Sequence, residues 1–279
     1  VDSIDFTHED SKEDLINRVE ATGKADKLAF IYLETPANPT NALIDMSMCR
    51  EVADHFSSAE KKVYVGVDNT YMGPIWSHPL QHGADLVLYS ATKYIGGHSD
   101  LIAGAVLGNA EVMQRVKVLR TFLGNMASPH TCWLLLRSLE TLKVRMEQQM
   151  RNAKEVAEYL RSHPKVEKVY YLGFISEDSQ DYKIYKSQYT SPGAMLSFDM
   201  KGGEAEAFQF LNHLRLIKLA VSLGSTESLV QHPSSMTHAG LDPEVKAAIG
   251  ITDSLVRLSV GVEHHSDLIG DIAQALEVV

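Results

Sequence analysis

The sequence predicts an α/β domain over residues 1–144 followed by a smaller α+β domain over residues 145–279. Three observations carry this. In the first half, β-branched apolar runs alternate with a helical segment, as a right-handed crossover between parallel strands requires. Residues 129–162 then read as a long or kinked helix, opened by Ser128 and Pro129, a capping residue followed by proline at the first helical position. Beyond it, four short strand-like runs and two helical segments suit a smaller sheet with helices on one face.

Residues 28–34 (LAFIYLE) read as the first strand, broken by the prolines of Thr35-Pro36-Ala37-Asn38-Pro39-Thr40. Residues 45–56 follow as a helix, with Met48, Val52 and Phe56 on one face, and residues 62–68 (KVYVGVD) as the second strand. A third apolar run, ending at Tyr89, enters Ser90-Ala91-Thr92-Lys93, and residues 102–107 read as one more strand. In the second half the strand-like runs are 166–171, 194–200, 219–223 and 255–260; residues 204–214 and 266–278 are helical. The chain leaves the first domain near Val144.

Three apolar strands that each end in a polar group fit a parallel sheet whose ligand sits outside the carboxyl ends of its strands. Asn38, Asp68 and Lys93 then converge on one crevice. A lysine at the end of a buried strand, among small hydroxyl residues and glycines, is placed to form an imine with an aldehyde cofactor. Pyridoxal phosphate (PLP) is the leading candidate: its phosphate suits the Ser90 and Thr92 hydroxyls, and its pyridine nitrogen needs an anion such as Asp68. Taken singly, a surface lysine, a capping aspartate and a turn asparagine are the ordinary alternatives. Arg257 lies in an apolar run where an unpaired charge is costly, so it requires an anionic partner, either a structural acid or a ligand carboxylate.

These motifs are similar to those of the PLP-dependent enzymes of cysteine and methionine metabolism, which include cystathionine γ-synthase, cystathionine γ- and β-lyases, methionine γ-lyase and the homoserine-ester sulfhydrylases. The likeness runs from Glu34-Thr-Pro-Ala-Asn-Pro-Thr40 through Val67-Asp-Asn-Thr70 and Tyr89-Ser-Ala-Thr-Lys-Tyr94 to Gln231-His-Pro-Ser-Ser-Met-Thr-His238 and Val256-Arg-Leu-Ser-Val-Gly261. It implies an aminotransferase-like (fold type I) cofactor domain, with Lys93 bonded to PLP, Asp68 on the pyridinium, and Ser90 and Thr92 on the phosphate. It also implies that Asn38 lies near the cofactor's phenolic oxygen and the substrate carboxylate, and that Arg257 binds that carboxylate with help from Ser222 and orientation by Thr237. A homo-oligomer, a tetramer built from dimers, is implied as well. The start at Val1–Asp5 implies that the N-terminal part of the cofactor domain, with its Gly-rich phosphate turn and ring-stacking tyrosine, is missing.

Within this family, the position before Ser222 often carries an acid in cystathionine-handling members, and here it is Val221. An apolar residue leaves a distal ammonium unpaired and so favours methionine or another short thioether, which makes a methionine γ-lyase the expectation. Arg120 and Thr121, near a lysine-aspartate pair of methionine-specific relatives, favour the alternatives: γ-replacement on an acylated homoserine, or cystathionine cleavage. A non-catalytic fragment is the reading from another class.

Composition bounds the rest. A chain of 279 residues, 44% hydrophobic and 22% charged, is long enough for two domains. Its net charge of −10, without a basic block, argues against a nucleic-acid partner and for small amino-acid substrates. Cys49 and Cys132 suggest neither a disulfide framework nor a zinc site, and the twelve histidines show no metal-ligand spacing. No apolar run approaches the ~18 residues of a membrane span, so no membrane partner and a cytoplasmic location are expected.

Overall fold

The computed structural model describes residues 11–279; the expectation drawn from Val1–Asp5 lies outside them. Strands β1 (Phe30–Glu34), β2 (Tyr64–Asp68), β3 (Leu86–Ser90) and β4 (Gly104–Gly108) form one sheet in that spatial order. The first three run parallel. β4 returns antiparallel to β3.

Alternation along β1 sends Ile31 and Leu33 to one face and Phe30, Tyr32 and Glu34 to the other. The first face is covered by helices α1 (Lys12–Ala21) and α2 (Met46–His55), whose Leu15, Met46, Cys49 and Val52 pack on Ile31, Leu33, Val65, Val67 and Val87. Asp45 starts α2 by accepting the Ser47 and Met48 amides. The helix read at 45–56 is therefore present, one residue shorter at each end.

The long or kinked helix expected over 129–162 is interrupted at Glu140 and Thr141, giving α5 (Pro129–Leu139) and α6 (Leu142–Ser162), with the short α3 (Gly73–Trp76) and α4 (Ala110–Leu123) before them. At the break, Arg145 Nη2 donates to the Ser138 carbonyl at 3.0 Å and Nε to Thr141 Oγ1 at 3.2 Å. A side chain has entered the backbone ladder, a recognised cause of a helix break.

The second sheet has five strands, in spatial order β5 (Val166–Tyr170), β6 (Met195–Met200), β9 (Leu255–Ser259), β8 (Leu229–Gln231) and β7 (Lys218–Leu219). After α6 come α7 (Gln180–Gln188), α8 (Glu204–His213), α9 (Pro243–Ala248) and α10 (His265–Glu277); α6, α8 and α10 bury Val156, Leu160, Phe210, Leu268 and Ile272 in one core with Leu196, Phe198, Val256 and Leu258. The alternate positions Ser197, Arg257 and Gln231 are register partners and form a polar row on the opposite face. This core also draws in Tyr71, Met72, Trp76 and Tyr94 from the first half, so the sheets share buried side chains.

Residues 219–223, expected as a strand, contribute only Leu219 to β7. The reason is a partner distant in sequence: the Val221 and Ser222 carbonyls turn to the Arg257 guanidinium instead of a neighbouring strand.

The loop between β1 and α2 is pinned to the second sheet. Ser197 Oγ donates to the Pro39 carbonyl at 2.7 Å. Asn41, with a left-handed φ of 61°, donates to the Tyr170 and Met195 carbonyls at 3.0 and 3.3 Å. Asn41→Ala removes both bonds and leaves a methyl-bearing residue at positive φ, so it is expected to destabilise the fold by about 2–4 kcal/mol. Asn41→Gly, which relieves the backbone cost, should lose less; urea midpoints of the two variants check the order.

Candidate active site

Lys93 stands in the turn after β3, where its amide donates to the Ser90 carbonyl (3.1 Å) and its carbonyl accepts the Gly97 amide (2.7 Å). Arg145 braces this turn from α6 by donating to the Tyr94 carbonyl at 2.9 Å. Gly97 makes the approach possible: at φ 70°, a Cβ there would sit 1.9 Å from Arg145 Nη1. The Lys93 Nζ donates to Ser222 Oγ at 2.9 Å. Burial, and then the nearby Arg257 charge, hold its pKa below the ordinary amine value. Both effects favour the neutral amine, the form that attacks a carbonyl.

Asp68 closes β2. Its Oδ1 accepts the Thr70 amide at 3.0 Å and its Oδ2 accepts the Tyr32 hydroxyl at 3.1 Å. Thr70 Oγ1 in turn accepts the Ser90 amide at 2.7 Å, which ties the end of β2 to the end of β3. The Tyr32 phenol is pushed up to about 12, first by burial and then by Asp68, so it stays a hydrogen-bond donor at neutral pH.

Arg257 is 1% exposed. Its Nη1 donates to Asn38 Oδ1 at 3.0 Å; its Nη2 donates to the Ser222 and Val221 carbonyls at 2.8 and 3.0 Å. Among the described residues it forms no ion pair, and its Nε has no partner. Burial lowers its pKa, opposed by Tyr71, Tyr94 and Glu34. A buried guanidinium held by neutral oxygens still lacks an anion, so a ligand carboxylate fits it better than a structural ion pair.

Lys93, Ser222, Arg257 and Asn38 thus form one chain of contacts, and Asn38 continues it through its amide to Glu34 Oε1 at 2.7 Å. Glu34 is the register partner of Asp68. Glu34 and Tyr32 were both missed as site residues. The signal was the alternation along β1, which puts them on the face of Asp68, but only the register with β2 makes it readable.

Two expected residues sit less directly. Thr92 Oγ1 bonds the Ala103 amide (3.0 Å) and carbonyl (3.3 Å), so Ser90 is the less engaged hydroxyl of the pair. Thr237 Oγ1 bonds Gln231 Nε2 (3.2 Å) and His238 Nδ1 (2.9 Å), and reaches Arg257 only through the neighbouring strand position Gln231. Orientation of Arg257 comes instead from Asn38 and the two carbonyls. Val221 is 52% exposed beside them.

A cleft of about 730 Å³ lies against the Asn38 loop, lined by Asn38, Thr40, Tyr170, Phe174 and Ile249. It contains none of Lys93, Asp68 or Arg257, so the chemistry is placed by side chains and not by this cleft. Among the described residues no group of three or more His, Cys, Asp or Glu side chains is placed to hold a metal ion.

The residues at the strand ends match the needs of PLP: an amine of lowered proton affinity for the aldehyde, an aspartate for the ring nitrogen and hydroxyl donors for the phosphate. Comparison with known proteins agrees. The family model described as "Cys/Met metabolism PLP-dependent enzyme" matches residues 3–277. The chain belongs to this family. An L-methionine γ-lyase of Fusobacterium nucleatum subsp. polymorphum is 44% identical over 251 residues, covering 89% of this chain and 62% of the relative. A cystathionine γ-lyase of Dictyostelium discoideum is 43% identical, covering 90% and 64%. The crystal structure of a cystathionine γ-lyase from Micromonospora echinospora superposes with a TM-score of 0.83 at 38% identity, covering 89% of this chain and 64% of that one. The chain therefore spans about three fifths of the length of the curated relatives it matches.

The electrostatics give a direct test. Since Arg257 contributes to the lowered Lys93 pKa, Arg257→Ala should move the pH midpoint of Lys93 acetylation in the cofactor-free protein upward. An unmoved midpoint would show that the two charges do not interact.

Proposed function

We propose that this chain acts as a PLP-dependent carbon–sulfur lyase of fold type I, removing the γ-substituent of a sulfur amino acid, methionine first, to give 2-oxobutanoate, ammonia and a thiol. The observation that carries this reading is Arg257, a buried cation that forms no ion pair among the described residues, linked through Ser222 to the Lys93 amine. When bound, PLP supplies an electron sink for negative charge developing at the substrate α-carbon. Lys93 is placed to hold the cofactor's aldehyde carbon and, once free, to take the α-proton as a base of lowered pKa. Asp68, fixed by Tyr32 and Thr70, keeps a proton on the ring nitrogen. Arg257 and Asn38 orient the substrate carboxylate, and Ser222 steers the Lys93 Nζ between cofactor and substrate. Ser90 and Thr92 serve the phosphate.

Val221 supports a short thioether. Its apolar side chain offers no partner to the distal ammonium of cystathionine, and an ammonium desolvated without a partner costs about 1–3 kcal/mol. The names of the relatives, L-methionine γ-lyase and cystathionine γ-lyase, support the elimination class. The same reading divides the chain at residue 144, in the first turn of α6. It also takes the protein to be a cytoplasmic homotetramer. Phe122, Leu123 and Leu136, which are 84%, 74% and 66% exposed on α4 and α5, support a subunit contact.

With methionine, release of a thiol and a 2-oxo acid should outpace cystathionine cleavage, and Val221→Glu should narrow that gap, because only cystathionine carries the distal ammonium a glutamate can pair. The ratio of kcat/KM for the two substrates checks this. A ratio unchanged by Val221→Glu removes Val221 from substrate choice, and a preference for acylated homoserine plus a thiol assigns the protein to γ-replacement.

A further inference from the structure

Glu34 closes β1 at the level where Asp68 closes β2, since the two are register partners in a parallel pair. Their side chains leave the same face, the one on which Tyr32 reaches Asp68. Glu34 Oε1 accepts the Asn38 amide, and the Asn38 side chain accepts from Arg257. One carboxylate thus holds the loop that meets the arginine and stands beside the aspartate of the next strand.

The charged and titratable groups facing Glu34 are Asp68 from β2, Arg257 from β9, Tyr71 from the turn after β2 and Tyr32 from its own strand. Burial raises its pKa; the Asn38 amide opposes that, Asp68 adds to it and Arg257 opposes it again. A plain turn acceptor would satisfy the Asn38 N–H without a charge. Placing a second acid opposite Asp68 is unfavourable for the fold by itself, because like charges at paired strand positions repel. A positive charge between the strand ends and the cofactor's ring would offset that repulsion.

We propose that Glu34 is a positioning residue that fixes Asn38 against Arg257 and adds a second negative charge beside Asp68, at the place that holds the cofactor's ring nitrogen. This rests on the functional reading above. Glu34 thereby couples the carboxylate-binding end of the site to its ring-nitrogen end through one side chain.

The test uses the cofactor-loaded protein with Glu34→Gln and Glu34→Ala. Glutamine keeps an acceptor for the Asn38 amide and removes the charge, whereas alanine removes both. The pH midpoint of the bound cofactor's visible absorbance change reads the charge. The dissociation constant of glycine, which has no γ-substituent to lose, reads the Asn38–Arg257 geometry.

The midpoint is expected to fall by about one pH unit in both variants, because a lost anion disfavours the protonated form. Glycine binding is expected to weaken on the order of tenfold in Glu34→Ala and less than about threefold in Glu34→Gln. An unmoved midpoint in both variants, or wild-type glycine affinity in Glu34→Ala, overturns the proposal. Should Glu34→Ala fail to fold, the Glu34→Gln midpoint decides alone. Wild-type protein that takes up no cofactor at Lys93 refutes the functional reading instead, so the two failures are distinguishable.

Discussion

The site depends on one buried charge. Arg257 sits in the middle of a strand whose other face is packed by helices, and is itself 1% exposed. Its guanidinium is kept there by three oxygens from two distant segments, the Asn38 side chain and the carbonyls of Val221 and Ser222. Each of those segments carries something else to the site. The Asn38 loop brings Glu34, and the 221–222 segment brings the hydroxyl that accepts from Lys93. The segment around Ser222 gives up strand pairing to do this, so the shape of the second sheet is itself a consequence of the arginine.

The surrounding structure works to place the other half against that charge. Parallel pairing of β1 and β2 sets Glu34 and Asp68 side by side, and Thr70 joins Asp68 to Ser90 across to β3. Arg145, another buried guanidinium without an ion pair among the described residues, fixes the turn after Lys93 through backbone carbonyls. Its donors are spent on the turn and on the break between α5 and α6. Rigid placement of this kind keeps an amine of lowered proton affinity in a single position, which is what a nucleophile and base requires.

Much of this could be read from residues alone, and the rest could not for definite physical reasons. The strands ending in Glu34 and Asp68 were legible because β-branched runs stop at polar residues followed by turn chemistry. Residues 219–223 look equally strand-like, yet their carbonyls go to Arg257, and a long-range partner of that sort leaves no local trace. Helix α4 was legible in principle: Asn109 accepts the Val112 amide at its start and Gly124 closes it at φ 72°. It passed unread because fourteen residues lie between the two signals, with no sharply apolar face among them. The break in the run 129–162 depends on Arg145 folding back onto Ser138, which periodicity cannot express. For the site, Lys93, Asp68, Asn38 and Arg257 were named from motif and residue type. Glu34 and Tyr32 needed the register between strands.

Bonding of the cofactor to Lys93 is tested most directly by borohydride reduction of the PLP-loaded protein followed by peptide mapping by mass spectrometry. Loss of the yellow colour and a single reduced pyridoxyl adduct on Lys93 are expected. An adduct on another lysine, or a protein that stays colourless with added PLP, contradicts that bonding.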